Sequence, residues 1–196
     1  MPDNTASRRE FLAASAAAAG GIWLAASPEE LRASLDHARR AVAGHSQQPL
    51  EVLTADQAAD IDAIASQIVP TDELPGAHEA GAVHFIDHTF TTFAQSQKDP
   101  MLAGLAAYNA LAAQAHPEAT HFSQLTAAQQ LEFLRGHDQH PFFQQLRAAV
   151  LVAVFSNPLW GGNKDKAGWR ILGFEDRYSW QPPFGWYDAK ANGGPN

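Results

Sequence analysis

The chain is 196 residues long, with 13 Lys and Arg against 21 Asp and Glu, a formal net charge of −8 and no cysteine. That acidity argues against nucleic acid and anionic lipid as partners. The missing thiols exclude disulfides, C-x-x-C-H haem attachment, thiolate iron–sulfur ligation and a cysteine nucleophile.

The first element is a signal. "SRREFL" places Arg8 and Arg9 before Phe11 and Leu12, and no residue from Phe11 to Ser27 carries a charge. Paired arginines, a mild apolar stretch rich in Ala and Gly, and small residues after it make a twin-arginine export segment over residues 1–27. The stretch is too short and too alanine-rich for a membrane span, which needs roughly 20 strongly apolar residues. Ala25, Ala26 and Ser27 suit a signal peptidase, whereas Pro28 opposes cleavage, so both outcomes stay open. The twin-arginine route carries folded proteins, commonly loaded with a cofactor, yet no cofactor motif follows. That mismatch has to be explained.

Residues 28–156 read as one all-α domain of five to six helices. Ser27-Pro28-Glu29-Glu30 is a capping box that opens a helix with Leu31, Leu35, Ala38 and Val42 on one stripe, stopped by Gly44. Thr54-Ala55-Asp56-Gln57 is a second box, and Ile61, Ile64, Ala65 and Ile68 form the buried face of the helix it starts. Pro70 and Pro75 in "VPTDELPG" end that helix. The pattern next predicts a helix from about His78 to Phe93, with Ala80, Val83, Ile86, Phe90 and Phe93 inward. Another is predicted to begin near Pro100, carrying Leu102, Leu105, Tyr108 or Asn109, and Ala112. Thr126 to Gln129 repeats the cap before Leu131, Phe133 and Leu134, and Gly136 closes that helix. The last helix, Pro141 to about Ser156, is apolar on all sides over residues 148–155, which makes it the central core helix or one sandwiched against a partner.

From Asn157 to Asn196 the chain becomes an aromatic, Pro- and Gly-rich arm holding four of the five tryptophans. It is too aromatic for a disordered linker and too rich in breakers for a regular element. Gly161, Gly162, Asn163 and Trp169 read as a structural turn. Such rings must bury against something, either another protein or this domain's own helices. Trp160, Trp180, Trp186 and Tyr187 are the candidates for a partner interface, and a self-packed cover is the alternative.

Two sequence blocks carry a resemblance. "LTADQAADIDAIASQIVPTDELPGAHEAGAVHFIDHTF" and "FFQQLRAAVLVAVFSNPLWGGNKDKAGWRILGF" together resemble the gluconate 2-dehydrogenase subunit 3 family over roughly Leu53 to Phe174. The resemblance implies a small, non-catalytic subunit of a periplasmic sugar or alcohol dehydrogenase complex. Its large partner would be similar to glucose–methanol–choline oxidoreductases and carry FAD, and a membrane-associated multihaem cytochrome c would accept electrons. The small subunit would supply the twin-arginine signal for both chains. That implication resolves the mismatch, since a chain with no cofactor of its own would be escorting a folded, flavin-loaded protein to the twin-arginine translocase.

Other chemistry competes with that reading. His84 and His88 are four apart on a helix, the spacing of a two-histidine metal pair, with Asp87 as a third ligand only in a distorted helix. A free periplasmic helical enzyme or metal-binding protein using these three residues is therefore the competing reading. Asp56, Asp60 and Asp62, or Glu73 with Glu79, are possible acid–base groups. Asp56 is better explained by the helix dipole, and Asp60 by the polar face of its helix. There is no G-x-S-x-G elbow, dinucleotide fingerprint or phosphate-binding loop.

Overall fold

A computed structural model describes residues 49–177. The export signal and the helix expected over residues 28–43 lie outside this range. Six α-helices occur among the described residues: α1 Ala55–Ile68, α2 Ala82–Thr89, α3 Gln95–Ala115, α4 Ala127–Gly136, α5 Pro141–Phe155 and α6 Ala167–Ile171. No strand occurs among them, so the all-α expectation holds.

The two capping boxes within the described residues close as read, and the one at Ser27 lies outside them. Thr54 Oγ1 accepts the Gln57 N–H while Gln57 Oε1 accepts the Thr54 N–H at 3.0 Å. Thr126 and Gln129 reciprocate in the same way at the head of α4. Each box satisfies main-chain donors that a helix start leaves open.

Two helix boundaries differ from the sequence reading. The helix expected over residues 78–93 is only Ala82–Thr89, starting after Gly81 at φ +73. At its far end the hydroxyls of Thr89, Thr91 and Thr92 reach back to the carbonyls of Ile86 and His88 at 2.7 to 3.1 Å. Such local bonds give the backbone an alternative to continuing the helix. The next helix starts at Gln95 rather than near Pro100, which lies inside it. This close to the start, Pro100 forfeits one main-chain bond, to the carbonyl four residues back.

The core is built around α5, which packs against α1, α2, α3 and α6. Phe142, Leu146, Ala149, Val150, Ala153 and Val154 are buried along it. Tyr108 of α3 sits among Phe133 and Phe142, with ring centroids 5.1 Å from each. On α4 the inward residue is Gln130 rather than Leu131, which is 39% exposed. The Gln130 side-chain amide is satisfied by the Leu125 carbonyl at 3.0 Å. Leu151, Val152 and Phe155 of α5 and Ile68 of α1, expected as core, are only half-buried.

The segment expected to be irregular from Asn157 instead makes two 3₁₀ turns, Pro158–Trp160 and Lys164–Lys166, followed by α6. It packs back onto α5 as far as Ile171.

Candidate functional site

The densest polar cluster forms around Asp60, which is completely buried. Its position corrects the solvated-face reading. Asp60 lies directly before Ile61 and one turn before Ile64, both at 0% exposure, so it belongs to the buried stripe of α1. Oδ1 accepts the Ser123 N–H at 2.9 Å and the Ser123 hydroxyl at 2.7 Å. Oδ2 accepts from Asn109 Nδ2 at 2.7 Å and lies 3.0 Å from His121 Nδ1. Asn109 in turn accepts the Phe122 N–H at 3.0 Å. This knot ties α1 to α3 and to the Phe122–Gln124 turn.

Burial pushes the Asp60 carboxyl up, but the hydrogen bonds from Ser123, His121 and Asn109 outweigh it and hold the group below its ordinary value. The bond to Asp60 in turn raises His121, against partial desolvation. Ser, His and Asp thus meet in one place, but in an order unsuited to nucleophilic catalysis. Ser123 Oγ donates to the carboxylate, not to the imidazole that would have to activate it. The arrangement is a structural tie.

His84, Asp87 and His88 are not brought together as a site. His84 is exposed and His88 half-buried, whereas Asp87 is buried. The Asp87 carboxylate accepts three successive main-chain N–H groups, from Glu51 at 2.6 Å, Val52 at 3.0 Å and Leu53 at 2.7 Å. It therefore anchors the bend that leads into α1, which removes it as the third ligand of the competing reading. Among the described residues no group of three His, Cys, Asp or Glu is placed to hold a metal ion.

The remaining acid–base candidates serve turns. Glu79 accepts the Thr71 hydroxyl at 2.7 Å and the Gly76 N–H at 2.9 Å. The Thr71 bond is the main reason its carboxyl lies below the ordinary range. Asp62 pairs with His78 Nδ1 at 2.9 Å. Glu73 is exposed, and so is Asp56 in the first turn of α1.

"PLWGGNKDKAGW" closes the end of α5, where a helix leaves carbonyls without partners. Asn163, buried and at φ +48, gives its N–H to the Ala153 carbonyl at 2.6 Å and its Nδ2 to the Ser156 carbonyl at 2.8 Å. Its Oδ1 accepts the Gly168 N–H at 2.8 Å. Trp169 Nε1 donates to the Phe155 carbonyl at 3.2 Å. A side chain at Gly162 would collide with the Ala153 carbonyl, and one at Gly168 with the Val154 carbonyl. Gly161 takes the turn at φ +91. Trp160 is half-buried and packs on the core of this domain. Trp180, Trp186 and Tyr187 lie outside the described residues, as do Arg8, Arg9, Phe11 and Leu12.

Beside this closure lies an apolar groove of about 330 Å³ that the sequence did not reveal. It is lined by Ile68 and Val69 at the end of α1, by Leu74 in the following turn, by Leu151 and Phe155 of α5, and by Ile171 of α6. Asp72 is the charged residue in its lining. The half-burial of Ile68, Leu151 and Phe155 is accounted for here: these side chains line the groove, with Ile68 and Phe155 also packed against the edge of the core.

No helix among the described residues is long and apolar enough to cross a membrane. Searches of curated proteins and of solved structures each return no match. The family model described as gluconate 2-dehydrogenase subunit 3 matches residues 55–176, from the first residue of α1 to just past α6. With more than half of its length matched, the chain belongs to the gluconate 2-dehydrogenase subunit 3 family, and is an accessory-type subunit of a dehydrogenase complex.

Proposed function

We propose that this chain is the non-catalytic small subunit of a periplasmic flavin-dependent sugar or alcohol dehydrogenase of the gluconate type. It escorts the folded FAD subunit through twin-arginine export and then stabilises the assembly. The family match over residues 55–176 carries the reading. Two features support it. The buried carboxylates Asp60 and Asp87 are saturated by structural donors, so neither is available as an acid or base. The arginine pair at Arg8 and Arg9 stands ahead of a chain with no cofactor motif, which fits a signal used on behalf of another protein.

In this reading FAD resides in a large subunit of the glucose–methanol–choline type, and a multihaem cytochrome c subunit takes the electrons onward. Trp160, Trp180, Trp186 and Tyr187 are offered to the large subunit, with Trp160 doing so from a half-buried position on this domain. The substrate pocket belongs to the partner. The test is export. With Arg8 and Arg9 both replaced by Lys, this chain and the FAD subunit should both remain in the cytoplasm on fractionation. Arrival of the FAD subunit in the periplasm would defeat the escort role while leaving the family assignment intact.

A further inference from the structure

We propose that the apolar groove between the end of α1 and helices α5 and α6 is a docking seat for the catalytic subunit, and that it takes an apolar segment flanked by a basic side chain. The inference rests on the subunit role proposed above and deepens it by naming a surface.

Three observations support it. First, α5 is the central helix of the domain, yet Leu151 and Phe155 remain half-buried, and they meet Ile68 and Ile171 in one groove. A groove of about 330 Å³ lies within the range of pockets that accept a bulky group. Second, a large apolar side chain of the lining itself faces solvent: Leu74 is 41% exposed, beside the half-buried Ile68, Leu151 and Phe155. Exposed apolar groups gathered in one groove mark interaction sites in soluble proteins. Third, the lining charge is Asp72, and Glu73 next to it is also exposed. Asp72 is the charge on an otherwise apolar floor and favours a basic flank, while the net charge of −8 disfavours a second copy of this chain. Membership in a family of complex subunits supplies the identity of the occupant, since such a chain must present a surface to another subunit.

The test uses the full chain co-expressed with the flavin dehydrogenase subunit, and reads both the affinity and the melting temperature. Leu74→Asp should weaken capture of the flavin subunit by about tenfold or more, as expected for an interface anchor. Asp72→Asn, which removes the charge but keeps the Oδ1 that accepts the Leu74 N–H at 2.9 Å, should weaken it several-fold, with a larger effect at low salt. Leu131→Asp on α4 is the control: it is 39% exposed, matching Leu74, but lies outside the groove lining. It should bind as wild type, and all three variants should melt within a few degrees of wild type.

Equal affinity for Leu74→Asp, Leu131→Asp and wild type would overturn the proposal. So would a wild-type dimer that Leu74→Asp converts to monomer, because the occupant would then be a second copy. A Trp186→Ala variant that melts lower by the same amount as Leu74→Asp, with flavin-subunit binding unchanged in both, would assign the groove to this chain's own arm and overturn it too. Failure of the wild-type chain to capture the flavin subunit at all would overturn the subunit role itself, and the docking seat with it.

Discussion

Replacing Asp60 with Ala should be among the most destabilising single changes in this protein. The side chain is wholly buried and receives two bonds from Ser123 and one from Asn109, with His121 Nδ1 at 3.0 Å. Hydrogen bonds to a charged acceptor are each worth about 1.5–3 kcal/mol, and donors left buried without a partner add a further penalty. The sum overstates the loss, because the His121 ring is 34% exposed and can rehydrate. Removing one member of such a buried set costs about 3–5 kcal/mol. That is a large part of a typical margin of about 5–15 kcal/mol.

Urea unfolding of the full chain would measure it, with Asp56→Ala as the comparison. Asp56 is on the same helix, but its side chain is 77% exposed and 4.0 Å from His121 Nε2, so its removal should cost less than about 1 kcal/mol. The pH dependence adds a second readout with a definite sign on each limb. Asp60 titrates below its ordinary 3.8, so its contribution is complete above that value and is lost as pH falls through the folded-state value. His121 titrates above its ordinary 6.5, so its contribution is complete below 6.5 and is lost as pH rises through the folded-state value. Wild-type stability should therefore fall on both sides of a plateau, and Asp60→Ala should flatten the alkaline limb as well as the acid one. Equal losses for Asp60→Ala and Asp56→Ala, or an unchanged alkaline limb, would refute the reasoning.

The closure of α5 should be equally intolerant. Gly162→Ala or Gly168→Ala forces a methyl onto a main-chain carbonyl and should lower the melting temperature by roughly 5–10 °C, read by circular dichroism. Asp87→Ala should cost about 3 kcal/mol and speed proteolytic cleavage near residues 49–53, whereas His84→Gln, an exposed change, should be silent in both assays. Tyr108→Phe should leave the melting temperature within about 2 °C, because the hydroxyl is buried with no hydrogen-bond partner among the described residues.

Local signals in the sequence were legible where local physics decides the structure. Thr54 with Gln57 and Thr126 with Gln129 announce helix starts because the bonds they make span only three residues. The apolar run of α5 announces a central helix because so much of its surface must be buried. Asp60 and Asp56 are the opposite case. Both are aspartates near the head of α1, and only tertiary structure separates them, since the partners of Asp60 come from positions 109, 121 and 123. A usable signal existed: Asp60 falls among Ile61, Ile64 and Ala65, and a charge on an apolar stripe calls for a buried partner. Asp87, next to Ile86 and four residues after Val83, sent the same signal. The groove had no such signal, because its lining comes from three separate stretches of chain that share no sequence pattern.

Those stretches nevertheless connect the groove to the two blocks that carry the family resemblance. "VPTDELPG" supplies Val69, Asp72 and Leu74 to the groove, and the turn is held by Glu79 on Thr71 and Gly76 and by the Ala77 N–H on the Val69 carbonyl at 2.9 Å. "PLWGGNKDKAGWRI" supplies Ile171, and its approach to α5 is fixed by Asn163, Gly168 and Trp169. Residues that carry the family resemblance are thus supports for two walls of one surface. This separates two kinds of variant. Asn163→Ala breaks two side-chain bonds at a buried turn, so it should cost about 2–3 kcal/mol and also weaken capture of the flavin subunit, because α6 is no longer held in place. Leu74→Asp should weaken capture while leaving stability almost unchanged. If Asn163→Ala lowered the melting temperature but left capture at the wild-type level, α6 would not be a wall of the docking surface, and the contact would have to be sought on the side of α1 alone.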